Sequence, residues 1–300
     1  MLLFGMSSRP LLIVFRYTVV VLRSKHYRHI PGKFLENVLP WLKARPRLIH
    51  SFVPSVFLLH SFTLFKMSED ERVKQEVDCL HKSEEHKAAY DILIKYKDSK
   101  DPEMLWRVAR VIFKCQEHGE KKDKEAAINE ALSYLDKALS FGGGNIGQLH
   151  KWYAALLGSR EQHHSLKEKI QEAHSIRDHI TKAVQLTPSD PSSFHILGKW
   201  CFEVAAVPWY TRKAAKMLVA ELPMSTYEEA LKNFMKAEEL QPNFYSRNTL
   251  MIGKVLLEMN KRAEGVQYLR KARDYQPKVT VDDELVSEEA KKLLENVGES

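Results

Sequence analysis

The chain has 300 residues, with 46 Lys/Arg against 39 Asp/Glu but only 12 Gly and 12 Pro. So little glycine and proline excludes an all-β protein with a turn about every ten residues. Three scattered cysteines (Cys79, Cys115, Cys201) without a CxxC pair argue against a disulfide scaffold or zinc module and for a reducing compartment.

The net charge of +7 is unevenly placed. Residues 1–66 hold ten Lys/Arg and one acid, Glu36, whereas residues 67–300 hold 36 Lys/Arg against 38 Asp/Glu. A nearly neutral body has no long-range pull on a polyanion, so nucleic acid is not an expected partner. The leader, 1–66, is basic and apolar in bursts. Its run 48–65 has 18 uncharged residues, and as a helix would reach roughly 27 Å, the lower limit for a bilayer span. An acid-poor, Arg-bearing start fits a mitochondrial targeting segment. It also fits an upstream extension ahead of Met67, or a weak anchor.

Residues 67–300 read as one helical repeat domain. "VKQEVDCLHKSEEHKAAYDILIKYK" (73–97) supplies a helix pair or a cap, and "DPEMLWRVARVIFKC" (101–115) opens a hairpin. Three endings share one form: "KAVQLTP" (182–188), "KAEELQP" (236–242) and "KARDYQP" (271–277). Proline inside a helix costs about 3 kcal/mol, so Pro188, Pro242 and Pro277 each stop one. Upstream of the stops, Ala230, Phe234 and Ala237 share their spacing with Gly265, Leu269 and Ala272, and with Ile176, Ile180 and Ala183. A fourth copy, Ala131, Leu135 and Ala138, ends in "SFGGGN", where glycine makes the stop. Spacings of four and three put these residues on one helix face, where small ones admit a second helix at close range.

After the stops come "SSFHILGKWCF" and "SRNTLMIGKVLLEM", and after the glycine stop "QLHKWYAALLG". Pro242 and Pro277 are 35 residues apart, close to the roughly 34 of a tetratricopeptide repeat. The expected fold is all-α: a tetratricopeptide-like solenoid of helical hairpins, about ten or eleven helices in all. From Pro188 to Pro242 the distance is 54, so about twenty residues are inserted relative to that repeat. They include "VAAVPWYTRKAAKMLVAELPMS" (204–225), after which Ser225 or Thr226 starts the next helix.

Within the insertion, Trp209 and Tyr210 precede Arg212, Lys213 and Lys216 within about two helical turns. These five are the candidate partner-binding residues: cations to hold a headgroup phosphate or an acidic peptide tail, with aromatics packing beside it. The competing reading makes Trp209 and Tyr210 core anchors of the insertion, with the cations merely facing water. Elsewhere no chemistry stands out. His163, His164, His174 and His179 lack metal-ligand spacing, since His174 and His179 lie five apart and no HExxH occurs. Trp106, Trp152, Tyr153 and Trp200 fall at repeat positions and read as core. Glu228–Glu229 and Glu238–Glu239 read as exposed helix charges, "GGGN" is not a phosphate loop, and no GxSxG appears. No catalytic residue, cofactor site or metal site is expected.

"MLWRVAR" (104–110), "HKWYAALL" (150–157), "LGKWCFEVAAVPWYTRKAAKML" (197–218), "STYEEAL" (225–231) and "KAEELQPNFYSRN" (236–248) together resemble the regulator of microtubule dynamics family, most of all its first member. The resemblance spans roughly residues 73–297, and the PWY-centred insertion is its most specific part. It implies a non-enzymatic interaction scaffold whose partner is the microtubule, tubulin or a microtubule-associated protein. The compartments it implies are cytoplasm, cytoskeleton, spindle and spindle pole, with a mitochondrial pool for some members. One relative is a mitochondrial tether with lipid-binding ability. The second function expected is therefore binding or transfer of anionic phospholipid at mitochondrial membrane contacts.

Overall fold

The computed structural model describes residues 68–160, 165–218, 220–278 and 280–299. The leader 1–66, its apolar run 48–65, and His163 and His164 lie outside the described residues. Every regular element among the described residues is helical. Packing divides the chain at Asp98/Ser99, inside the stretch expected as one repeat domain.

Before that division stand α1 (Glu69–Lys82) and α2 (His86–Leu93), which pack on each other and bury Val77, Ala89 and Leu93. Ser68 caps α1 by accepting the Glu71 N–H (3.2 Å). Glu69, Asp70 and Glu71 lie in its first turn, against the positive end of the helix dipole.

After it come α3 (Pro102–Gln116), α4 (Lys121–Ser140), α5 (Gly147–Leu157), α6 (Leu166–Leu186), α7 (Pro191–Ala205), α8 (Trp209–Leu218), α9 (Tyr227–Leu240), α10 (Ser246–Glu258), α11 (Arg262–Arg273) and α12 (Val281–Asn296). The closest packing pairs α3 with α4, α5 with α6, α7 with α9 and α10 with α11, and successive hairpins stack on one another. This is a helical-hairpin solenoid, with α12 laid on α10 and α11. Pro188 and Pro242 therefore each separate one hairpin from the next, and Pro277 separates the last hairpin from α12. Twelve helices are present among the described residues rather than ten or eleven, because the insertion holds one of its own, α8.

The expected register is found. Ala131, Leu135, Ala138, Ile180, Ala183, Ala230, Phe234, Ala237, Gly265, Leu269 and Ala272 are all buried, and Ile176 is half-buried. The close approach falls at the glycines. A Cβ on Gly198 of α7 would lie 2.8 Å from Cδ1 of Phe234 on α9. On Gly253 it would meet Leu269 Cδ2 at 2.9 Å and the Gly265 carbonyl at 3.2 Å. Of the four aromatics expected in the core, Trp106 and Trp200 are buried, whereas Trp152 and Tyr153 are half-buried.

Two polar ties cross the apolar layers. His195 Nδ1–H donates to Asn248 Oδ1 (3.0 Å), and Asn248 Nδ2 donates to the Phe234 carbonyl (3.1 Å), joining α7, α9 and α10. At the other end, Arg247 of α10 forks onto Asp282 of α12, which also accepts the Tyr245 hydroxyl (2.8 Å). Such buried groups are tolerated because each has a partner.

Candidate partner-binding surface

The insertion interrupts the third hairpin between α7 and α9. Pro208 cannot continue α7, and α8 begins immediately after it. The surrounding chain then fixes the returning arm of the loop at two points. His174 of α6 donates Nε2–H to the Glu221 carbonyl (3.0 Å). The hydroxyl of Thr226 accepts the Glu229 N–H (3.2 Å) while Glu229 Oε2 accepts the Thr226 N–H (3.3 Å), a capping box that starts α9.

The five candidate residues do not share one face. Arg212 points inward: its guanidinium donates to the carbonyls of Val207 (3.3 Å), Pro223 (2.8 Å) and Val204, and its Nη1 approaches Met224 Sδ (3.3 Å). Val204 and Val207 lie at the C-terminal end of α7, where a cation meets the negative end of the helix dipole. One side chain thus clasps the outgoing and returning arms of the insertion. Lys216 pairs with Glu221 (3.0 Å), both well exposed. Lys213 is exposed.

Trp209 and Tyr210 are not core anchors. They are 74% and 62% exposed, with their rings edge to face at 6.1 Å. Met217, Leu218 and Met224 are exposed as well, and only Ala215 of α8 is buried. Trp209, Lys213 and Met217 follow at intervals of four, with Tyr210 and Leu218 flanking them, so α8 turns an aromatic–aliphatic face carrying one ammonium toward solvent. Contiguous exposed apolar groups of this kind mark interaction surfaces. Sequence reasoning missed Met217, Leu218 and Met224, and it took Arg212 for a ligand-facing cation. The available signal was the wrong-way amphipathicity of 209–218, which periodicity shows but does not orient.

The histidines serve other ends. His174 is used on the insertion. His150 Nε2–H donates to the Gly144 carbonyl (3.0 Å), which leaves its Nδ1 to accept from Nδ1–H of His179 (2.9 Å). The His179 ring stacks on Tyr153 at 4.0 Å, and the Tyr153 hydroxyl donates to Asp136 (2.8 Å). Burial lowers the pKa of both imidazoles, that of His179 to about 4. Among the described residues no group of three or more His, Cys, Asp or Glu is disposed to hold a metal ion.

Compared with known proteins, residues 73–298 match the family described as regulator of microtubule dynamics protein 1-3. The chain belongs to this family. Regulator of microtubule dynamics protein 1 of Bos taurus is 38% identical over 247 residues, covering 82% of this chain and 77% of that protein. The Mus musculus protein 1 is 40% identical over 227 residues, covering 75% and 73%. Protein 3 of Xenopus laevis is 33% identical over 214 residues, 70% of this chain but 46% of its own length. Among solved structures, a thermophilic TPR protein of Thermus thermophilus superposes with a TM-score of 0.49 at 14% identity, covering 73% of this chain and 95% of that one. Within this family member, the matched span contains the whole insertion with α8 and the Arg212 clasp.

Proposed function

We propose that this member of the family is a non-catalytic scaffold that associates with microtubules, tubulin or a microtubule-associated protein, and that α8 is a principal contact. The observation that carries this is the exposed face of Trp209, Tyr210, Met217 and Leu218, held by the Arg212 clasp. Aromatic residues on a rigid support are the usual hot spots of protein interfaces. Its working place is the cytoplasm and cytoskeleton, at the spindle and spindle pole, with mitochondrion as a second compartment suggested by the basic leader. The balanced charge of residues 67–300 supports contacts driven more by apolar burial than by charge, hence only a shallow loss of binding with salt.

The test is co-pelleting of the purified chain with polymerised microtubules over a salt series, beside the triple variant Trp209→Ser, Tyr210→Ser, Met217→Ser. Wild type should pellet at low salt with weak salt dependence, and the variant at least about tenfold less well, the loss of roughly 1.4 kcal/mol or more expected of hot-spot residues. No pelleting even at low salt would sink direct binding. Equal pelleting of the variant would remove α8 from the contact.

A second reading is favoured by the same face. A helix presenting Trp, Tyr, Met and Leu around a lysine suits the headgroup boundary of a membrane, with about 1 kcal/mol added per lysine near anionic lipid. In this reading the protein binds or transfers phospholipid at mitochondrial contacts. Flotation with phosphatidylserine vesicles, compared with pure phosphatidylcholine and with the triple variant, tests it. No flotation with either lipid would refute it.

A further inference from the structure

A cleft of ≈ 630 Å³ lies far along the chain from α8, where the last turns of α9 and α11 and the loops after them come together against α10. Its walls include Glu238 from α9, Asn243 from the following loop, Tyr268 and Lys271 from α11, and Asp274 and Tyr275 beyond it. The volume is ordinary for a ligand site. Glu238 was expected to be a solvated helix charge. Instead it is half-buried: Oε1 accepts the Asn243 N–H (2.8 Å), while Oε2 is buried with no hydrogen-bond partner.

The other charges of the cleft are accounted for. Asp274 is paired with Arg273 through both oxygens (2.9 and 3.0 Å). Arg270 donates to Glu299 (2.7 Å). The Lys271 ammonium sits 4.7 Å from the centre of the Tyr268 ring. Formal charges in the cleft therefore balance, but partners do not: the group left without one is a carboxylate oxygen. The C-terminal ends of α9 and α11 add negative potential at the same place. Two tyrosines stand beside it, and Lys271 already demonstrates that the Tyr268 face accepts a cation.

We propose that this cleft binds an arginine side chain of a partner polypeptide, with the guanidinium donating to Glu238 and stacking on Tyr268. Arginine suits the site better than lysine because a planar fork can bond a carboxylate and lie flat on a ring together. Lys271 is exposed and its ammonium holds the Tyr268 ring face as a resident placeholder, which it gives up when the guanidinium enters. Tyr275, whose hydroxyl donates to the Asn243 carbonyl (2.9 Å), holds the far wall in place.

The experiment is amide chemical-shift titration of the ¹⁵N-labelled chain with acetyl-arginine amide, and with acetyl-citrulline amide as the neutral isostere. Arginine should give saturable shifts confined to Glu238, Asn243, Tyr268, Tyr275 and their neighbours. Citrulline should give none at the same concentration. Glu238→Gln keeps an oxygen for the Asn243 N–H and removes the charge, so the shifts should vanish while the rest of the spectrum is retained. Lys271→Ala removes the competing cation and should tighten binding severalfold. Absence of saturable shifts, equal shifts from citrulline, or undiminished binding by Glu238→Gln would each overturn the proposal. None of these readouts involves α8, so failure here and failure of the microtubule reading are separate results.

Discussion

The α7–α9 contact allows a sharp test of the repeat's packing logic. A Cβ on Gly198 would lie 2.8, 2.9 and 3.0 Å from Cδ1, Cε1 and Cγ of Phe234. Phe234 is fully buried between Ala230 and Ala237, which gives the ring nowhere to retreat. Gly198→Ala alone should therefore cost about 1–3 kcal/mol of overpacking, offset by about 1 kcal/mol of improved helix propensity. The net expectation is a loss of about 1 kcal/mol. Phe234→Ala should cost about 3–5 kcal/mol through lost burial and the cavity left behind. In that background the clash is gone, so Gly198→Ala should now stabilise by about 1 kcal/mol. The sign reverses, and the coupling of about 2 kcal/mol falls within the range found for residues in contact. Urea unfolding followed by far-UV circular dichroism would measure all four corners, with Phe234→Leu replacing Phe234→Ala if the latter fails to fold. If Gly198→Ala has the same effect with and without the phenylalanine ring, the glycine is not there to admit it.

Three further outcomes are expected. Burial pushes the pKa of His179 and His195 from 6.5 down to about 4 and lowers that of His150. These groups stay neutral when folded and take up protons when unfolded, so their contribution to stability should be fully present above about pH 6.5 and fall as pH drops toward about 4. Urea midpoints that do not change across that window would contradict it. Arg212→Ala should free the insertion, speeding chymotrypsin cleavage within 206–226 severalfold while helical signal elsewhere is kept. Arg212→Lys should do the same, since one ammonium cannot serve three carbonyls, and an unchanged cleavage rate would refute the clasp. Thr226→Ala removes one half of the capping box that starts α9 and should cost about 1 kcal/mol in urea unfolding.

Much of the fold was legible because its signals are local. Pro242 and Pro277 end helices wherever the chain places them, and Thr226 with Glu229 begins one, since these effects act within a single turn. The spacing of Ala230, Phe234 and Ala237 selects a face, and a face bearing two alanines and a phenylalanine has few uses outside a helix contact. The family was legible for the same reason, through stretches of matching pattern. The candidate surface was half legible. "PWYTRKAAK" drew attention by composition, yet nothing in it told whether Trp209 and Tyr210 face a core or solvent.

The amino-acid sequence alone determined that residues 67–300 are helical, where most helices stop, which face of four of them packs inward, and to which family the chain belongs. Tertiary structure alone decided that α8 turns its aromatic face outward, that Arg212 closes the insertion from within, and that Glu238 keeps one oxygen unpartnered in a cleft. The physical reason is range. Helical period and capping are settled among residues three or four apart, whereas the surroundings of a side chain depend on segments well beyond that range, such as Val204 and Pro223, 8 and 11 residues from Arg212, or Asn248, 53 residues from His195.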